Sequence, residues 1–331
     1  MNNKSTIKVA VVGYGMSAQT FHIPLLFSSD KYEIKAFLER TKSESTTLFP
    51  EAKLYRQLNE LLTDDEVELV VLTSPNVVHY QQAISCLQAG KYVVVEKPLC
   101  LTKKQAIHIK TEAEKTGKTV CTFQNRRWDS DFLWLQKLIA SDTRIYEIES
   151  RFDRYRDYIK GWKEQAGNGL LYDIGSHLID QIFYLFPNAV RIYADVKKQR
   201  ACAEEIDYFE LHYKAGDIKI ILKASMTVVV SNRLTVHTNL GSFIKPSLDQ
   251  QETLLKEKSI KYFPSCLKTE YLELINLEKQ TTRIELPLGE YDQFYEKLFN
   301  HIRFNQPVPV EIEDTIRVIA EIESIMNLTN E

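Results

Sequence analysis

The sequence predicts an α/β protein: an N-terminal doubly wound parallel sheet, then an α/β domain built on an open, mostly antiparallel sheet. Two changes of pattern carry this. In the first 124 residues, near-continuous apolar runs such as VELVVLT (67–73) and KYVVV (91–95) alternate with helical stretches. Strands that read apolar throughout are buried on both faces, as in a parallel sheet covered by helices. Beyond Pro187 a period of two takes over, as half-buried antiparallel strands require. The boundary falls near residue 124, giving one domain over 1–124 and a second over 125–331.

Taken in order, IKVAVV (7–12) is the first strand and MSAQTFHIPLLFSS (16–29) a helix. YEIKAFL (32–38) is a second strand, followed by a polar helical stretch, and KTVCTF (118–123) closes the series. The right-handed crossover rule leaves few topologies for such a run. A helix over Ser130–Ala140 and a polar strand region over Arg144–Tyr155 follow. After the Gly167–Gly169 corner comes GLLYDIGSHLIDQIFYLF (169–186), which reads as helix. AVRIYADVK, YFELHYK, DIKIILKASMTVVV and RLTVHT read as strands, with Lys214–Asp217 a hairpin turn. Two helices, Tyr291–Arg303 and Glu313–Asn327, end the chain, joined by QPVPVEI.

Composition narrows the function classes. A net charge of -3 over 331 residues gives no bulk attraction to nucleic acid or to an anionic membrane. No stretch reaches the about 18 apolar residues that a spanning helix needs. The N-terminus lacks the apolar core of a secretion signal. The five cysteines (Cys86, Cys100, Cys121, Cys202 and Cys266) are scattered and include no CxxC. That pattern predicts inert, buried thiols in a reducing cytoplasm, with no disulfide framework and no metal site.

VAVVGYGMSAQTFH (9–22) breaks from a strand into two glycines and then into a helix. A glycine at 13 permits the tight turn, and one at 15 lets the backbone approach a pyrophosphate. The following helix start, with Met16 and Ser17, offers N–H groups to the phosphates, and Ala18 takes the third small position. Glu39, at the end of the second strand, is placed to bind a ribose hydroxyl. The reading is NAD or NADP binding. Glu39 tilts it slightly to NAD, because a carboxylate repels a 2′-phosphate, whereas Arg40 and nearby Lys42 suit that phosphate.

Ligands of such sheets bind beyond the carboxyl ends of the strands. Ser74, Pro75 and Asn76 follow one strand there, and Glu96, Lys97 and Pro98 follow the next. A lysine at that point can polarise a substrate oxygen or relay its proton, or simply pair with Glu96 at the surface. Asp173 and His177 stand four apart on a helix and so share a face, with Gly175, a costly helix residue, between them. Histidine can take a hydroxyl proton near neutral pH, although such a pair is also common on helix surfaces. His22 and His79 lie in helices flanking the cofactor cleft, where they can line it or simply pack. His108, His212, His237 and His301 read as packing or surface residues.

GYGMSAQTFHIP, EKP at 96–98, QNRRWDSDF at 124–132 and LYDIGSHLIDQ at 171–181 occur in this order. With these four pieces the chain resembles the Gfo/Idh/MocA oxidoreductases along essentially its whole length, most closely their inositol dehydrogenase-like branch. The resemblance implies a Rossmann domain followed by a largely antiparallel α/β domain, and hydride transfer between nicotinamide and a sugar or polyol carbon. It implies that Lys97 binds substrate and relays a proton, that Asp173 orients substrate, and that His177 is the general acid/base. Asn125 and Arg126 would lie near nicotinamide and substrate. Two departures stand out. NADP-using members tend to carry Ser–Arg where this chain has Glu39–Arg40, and a Trp–Arg–Glu run of the family is here Trp162–Lys163–Glu164. Tyr155, Tyr158 and Trp162 precede the catalytic helix and can either stack on a sugar ring or pack their loop. The second sheet is expected to present an apolar outer face that pairs subunits into a homo-oligomer. Two rival readings are a non-catalytic, cofactor-sensing regulator and a redox-neutral hydrolase or lyase that uses bound NAD transiently.

Overall fold

The computed structural model describes residues 6–158, 169–257 and 264–328. The chain groups into two compact units: Met1–Asn125 with Gln251–Cys266 and Tyr291–Ile319, and Arg126–Gln250 with Leu267–Glu290 and Ala320–Glu331. A single cut near residue 124 therefore does not describe the grouping, because two later segments rejoin the first unit.

The first unit holds six parallel strands: β1 (Ile7–Val12), β2 (Tyr32–Leu38), β3 (Lys53–Tyr55), β4 (Leu69–Leu72), β5 (Tyr92–Val95) and β6 (Val120–Thr122). Their order is β3-β2-β1-β4-β5-β6. The order reverses between β1 and β4, so the ends of these two strands flank the crevice where such sheets take ligands. The apolar runs are the reason for this layer, since every residue of LVVL in β4 is buried. The three-residue β3 was not expected from the sequence; a strand this short leaves no periodicity to read. The helix after β1 runs unbroken but contains a π turn at Ala18–His22 before α1 (Ile23–Phe27).

The second unit holds eight strands in the order β14-β13-β12-β11-β7-β10-β9-β8. They are β7 (Ile145–Arg151), β8 (Val190–Lys197), β9 (Tyr208–Ala215), β10 (Ile218–Ser225), β11 (Leu234–Thr238), β12 (Gly241–Lys245), β13 (Tyr271–Asn276) and β14 (Thr281–Glu285). All pairings are antiparallel except β10 with β7. β9 and β10 form the expected hairpin, with Ala215 opposite Ile218.

Alternation sorts the residues between faces. Phe209, Leu211, Tyr213, Ile220 and Leu222 point inward and are buried. Two helices, Ser130–Ile139 and Ser176–Leu185, cover that face: Trp134 packs on Phe243 at 5.1 Å between ring centres, and Phe183 on Tyr213 at 5.8 Å. The outer face is mixed: Val190, Tyr193 and Tyr271 are exposed on it, beside many charges. Between the inward residues stand Glu147, Lys219, Lys223, Glu210 and His212, laced by Lys219–Glu147 at 3.1 Å and Lys223–Glu210 at 2.7 Å. The period of two that makes the strands amphipathic thus places charge on the uncovered face of the central strands.

Candidate active site

The glycine turn of the first unit is built by close approach. Gly13 follows β1 with φ of 97°, a left-handed value that favours glycine. A Cβ there would meet Thr73 Oγ1 at 2.9 Å and Thr73 O at 3.3 Å. At Gly15 the situation is opposite, since nothing lies within 4 Å of a Cβ. This open space beside bare backbone fits a dinucleotide's pyrophosphate. Met16 is exposed there, and Ser17 donates its hydroxyl to Glu96 Oε1.

Just after β2, Glu39 is buried, and its carboxylate is engaged by its own loop. Oε1 accepts the N–H of Ser45 at 2.9 Å and its hydroxyl at 2.5 Å; Oε2 accepts the N–H of Glu44 at 3.1 Å. Burial works to raise its pKa, but these bonds and the charge of Arg56 leave it below the ordinary value. Arg56 also donates to the carbonyls of Glu39, at 2.8 Å, and Lys42, and to Ser43 Oγ at 2.7 Å. Arg40 and Lys42 are exposed on the turn so pinned.

The Lys97 turn is tied to the glycine turn through one carboxylate. Glu96 Oε2 accepts the N–H of Lys97 at 3.0 Å, while Oε1 meets Ser17 and, at 3.0 Å, His22 Nε2. Burial pushes Glu96 upward, but His22, the charge of Lys97 and the Ser17 hydroxyl outweigh it and hold the group at about 2. His79 is fully buried, with Nδ1 at 2.9 Å from Pro98 O and Nε2 at 2.7 Å from Ser74 O. It therefore bridges the Ser74–Pro75–Asn76 turn to the residue after Lys97. Burial lowers its pKa against these two contacts.

The second unit begins within a 3-10 turn, Asn125–Trp128, whose buried arginines lie against the helix that carries His177. Arg127 binds Asp180 through two bonds, of 2.8 and 2.6 Å, and lies over the Tyr184 ring. Gln181 donates to Arg126 O at 2.7 Å and accepts from Arg233 at 3.1 Å. Asp180 and Gln181 stand three and four residues after His177, so all three share a helix face. Arg126 lies over the Phe152 ring at 4.7 Å and 3.3 Å from Asp129, whose pKa is raised by burial and by Asp249 and Asp131 against the pull of Arg126. Asp173 falls in a π turn, Leu171–Gly175. Gly175 is explained by packing, since a Cβ would meet Leu171 Cδ1 at 2.9 Å. Tyr155 is exposed and bridges to Thr227. Trp162, Lys163 and Glu164 lie outside the described residues.

Among the described residues no group of His, Cys, Asp or Glu could hold a metal. No helix among them is long and apolar enough to cross a membrane. None of the five cysteines, all described, forms a disulfide. Cys86, Cys100 and Cys121 are buried as expected, but Cys202 is exposed and Cys266 half-buried.

Residues 7–124 match the family model for the NAD-binding Rossmann fold of the GFO/IDH/MocA oxidoreductases, and residues 132–244 match a C-terminal domain of the same family. The chain belongs to the GFO/IDH/MocA family. As a member it is an NAD(P)-dependent oxidoreductase. It is similar to the scyllo-inositol 2-dehydrogenase (NADP(+)) IolW of Bacillus subtilis, at 35% identity covering 98% of this chain and 94% of that one. The D-glucoside 3-dehydrogenase of Escherichia coli is 27% identical, with 64% of this chain and 65% of that one covered. The solved structure of the Bacillus subtilis oxidoreductase yvaA superposes with a TM-score of 0.90 at 35% identity, covering 98% and 96% of the two chains. This GFO/IDH/MocA member has contacts that no local motif announces: His22 with Tyr295, and Arg127 with Asp180. They join positions far apart in the chain, and only the fold brings them together.

Proposed function

We propose that the chain is a dehydrogenase of CH–OH groups acting on a cyclic polyol or sugar of the inositol type. The observation that carries the reading is the shared carboxylate of Glu96, which ties the open glycine turn to the turn of Lys97. When bound, the nicotinamide supplies the hydride acceptor at its C4. Gly13, Gly15, Met16, Ser17 and the Ser74–Asn76 turn hold the dinucleotide, with Asn125 near its nicotinamide end. Lys97 holds the reacting oxygen, Asp173 orients the substrate, and His177 takes the hydroxyl proton as the carbonyl forms. Arg126 and Tyr155 line the substrate side.

For the cofactor, the sequence tilts to NAD through Glu39. The engagement of that carboxylate by Ser45 and Glu44 supports NADP instead, with Arg40 and Lys42 meeting the 2′-phosphate. We further read the protein as a cytoplasmic homo-oligomer assembled through the second sheet, whose rows of mixed charge can pair with a second copy; light scattering on the eluting protein tests the assembly. Activity is tested by reduced-nicotinamide absorbance with NAD and NADP against inositols, aldoses and simple polyols. Turnover with a cyclic polyol or a sugar is expected, faster with NADP. In His177→Ala it should fall about a hundredfold or more while nucleotide affinity is kept. A silent panel, or near-normal turnover in that variant, sinks the assignment.

A further inference from the structure

His22 stands out among the titratable groups of the first unit. It is fully buried, 74 residues from Glu96 and 273 from Tyr295, yet it touches both. Its Nδ1 lies 2.6 Å from the Tyr295 hydroxyl and its Nε2 3.0 Å from Glu96 Oε1. The ring also packs on Phe123 at 4.3 Å between centres. Tyr295 is itself buried, and its carbonyl accepts from the Tyr32 hydroxyl at 2.7 Å. These contacts form one continuous polar strut: Tyr32, Tyr295, His22, Glu96, and then both Ser17 and the Lys97 backbone.

Most of this strut is out of reach of a bound molecule. His22 and Tyr295 are at most 1% exposed, so neither can contact one directly. A buried polar chain is costly unless every member is satisfied, and its worth lies in fixing geometry. Here the fixed geometry is that of the glycine turn's first helical residues and of the Lys97 turn.

We propose that His22 and Tyr295 are positioning residues for the dinucleotide's pyrophosphate–nicotinamide half, acting through Glu96 on Ser17 and on the Lys97 backbone. The proposal rests on the nucleotide reading above. The charged and titratable groups that face Glu96 are His22, Lys97, Tyr295 and His79. Of these, His22 and Tyr295 form the arm of the strut that leads away from the ligand. The adenosine end depends on a different set, Glu39, Arg40 and Arg56, which the strut does not touch.

That separation supplies the test. Dissociation constants for NAD, NADP and their adenosine fragments, 5′-AMP and 2′,5′-ADP, are measured by calorimetry on the full chain and on Glu96→Gln, His22→Asn and Tyr295→Phe, with a melting curve for each. Dinucleotide affinity is expected to fall about tenfold in Glu96→Gln and His22→Asn, and about threefold in Tyr295→Phe. Fragment affinity is expected to stay within twofold of the parent. Should His22→Asn fail to fold, Tyr295→Phe removes a single hydroxyl and carries the comparison alone. A purely structural role would weaken fragment and dinucleotide alike, and that result overturns the proposal. So does unchanged dinucleotide affinity in folded variants. An unmodified chain that binds neither dinucleotide overturns the nucleotide reading itself, and the proposal with it.

Discussion

Glu96 in the first unit and Asp129 in the second are both buried carboxylates, and their pKa values move in opposite directions. Desolvation disfavours the ionised form of each to begin with. Around Glu96, an imidazole, a hydroxyl, a backbone N–H and the Lys97 charge reverse that penalty. Around Asp129, burial weighs most; Arg126 pulls downward, but two further acids, Asp249 and Asp131, add to the cost of burial and push the group up to about 8. The lesson is that burial sets the size of the problem, and the neighbours set its sign.

A third buried acid sharpens the contrast most strongly. Asp180 has a bidentate arginine, so Arg127→Ala would take two charged hydrogen bonds from a buried carboxylate. A loss of about 3–5 kcal/mol is expected in denaturant unfolding, with Asp180→Asn losing less.

Glu96 comes next. Because its folded pKa is depressed, its contribution is present above the unfolded value and disappears as pH falls from about 4.5 toward 2. Glu96→Gln should therefore be less stable than the parent at neutral pH by about 1–3 kcal/mol and show a shallower acid limb. Parallel acid limbs in the two proteins would break the comparison.

Asp129 should behave in reverse. Its folded pKa is raised, so the native state binds the extra proton, and its contribution is lost as pH rises from the ordinary carboxylate range through about 8. Asp129→Asn should gain on the parent steadily over that window, in melts run at stepped pH. Gly15→Ala is the smallest expected change in stability, within about 0.5 kcal/mol, since its Cβ meets nothing. Dinucleotide affinity should nevertheless drop in that variant, a separation that calorimetry beside a melt would detect.

These outcomes bear on what could be read from residues alone. Both sheets were legible, because the change from continuous apolar runs to alternation follows directly from burial on two faces or one. Gly13 and the Glu96–Lys97–Pro98 turn were legible because strand ends announce themselves. The fate of Glu39 was not, since the sequence places the carboxylate but does not say that Ser45 will claim it. The partnership of His22 with Tyr295 was equally hidden, because contacts between residues hundreds of positions apart leave no local periodicity. Gly175 stands out in the sequence only as a costly helix residue; its close neighbour, the Leu171 side chain, is visible only in the fold.

The return of the chain into the first unit also bears on modularity. Phe294 packs on Phe123 at 4.8 Å between ring centres, and Tyr295 closes over His22, both from the helix Asp292–Phe304. A fragment ending at residue 124 would carry all six parallel strands and yet leave this aromatic seam bare. The stretch that matches the family's Rossmann model thus lacks part of the packing of its own unit. Grafting a nucleotide-binding half between relatives would have to carry the 291–319 segment as a travelling companion, and a chimaera joined at a single crossover would pair each half with a stranger's helix.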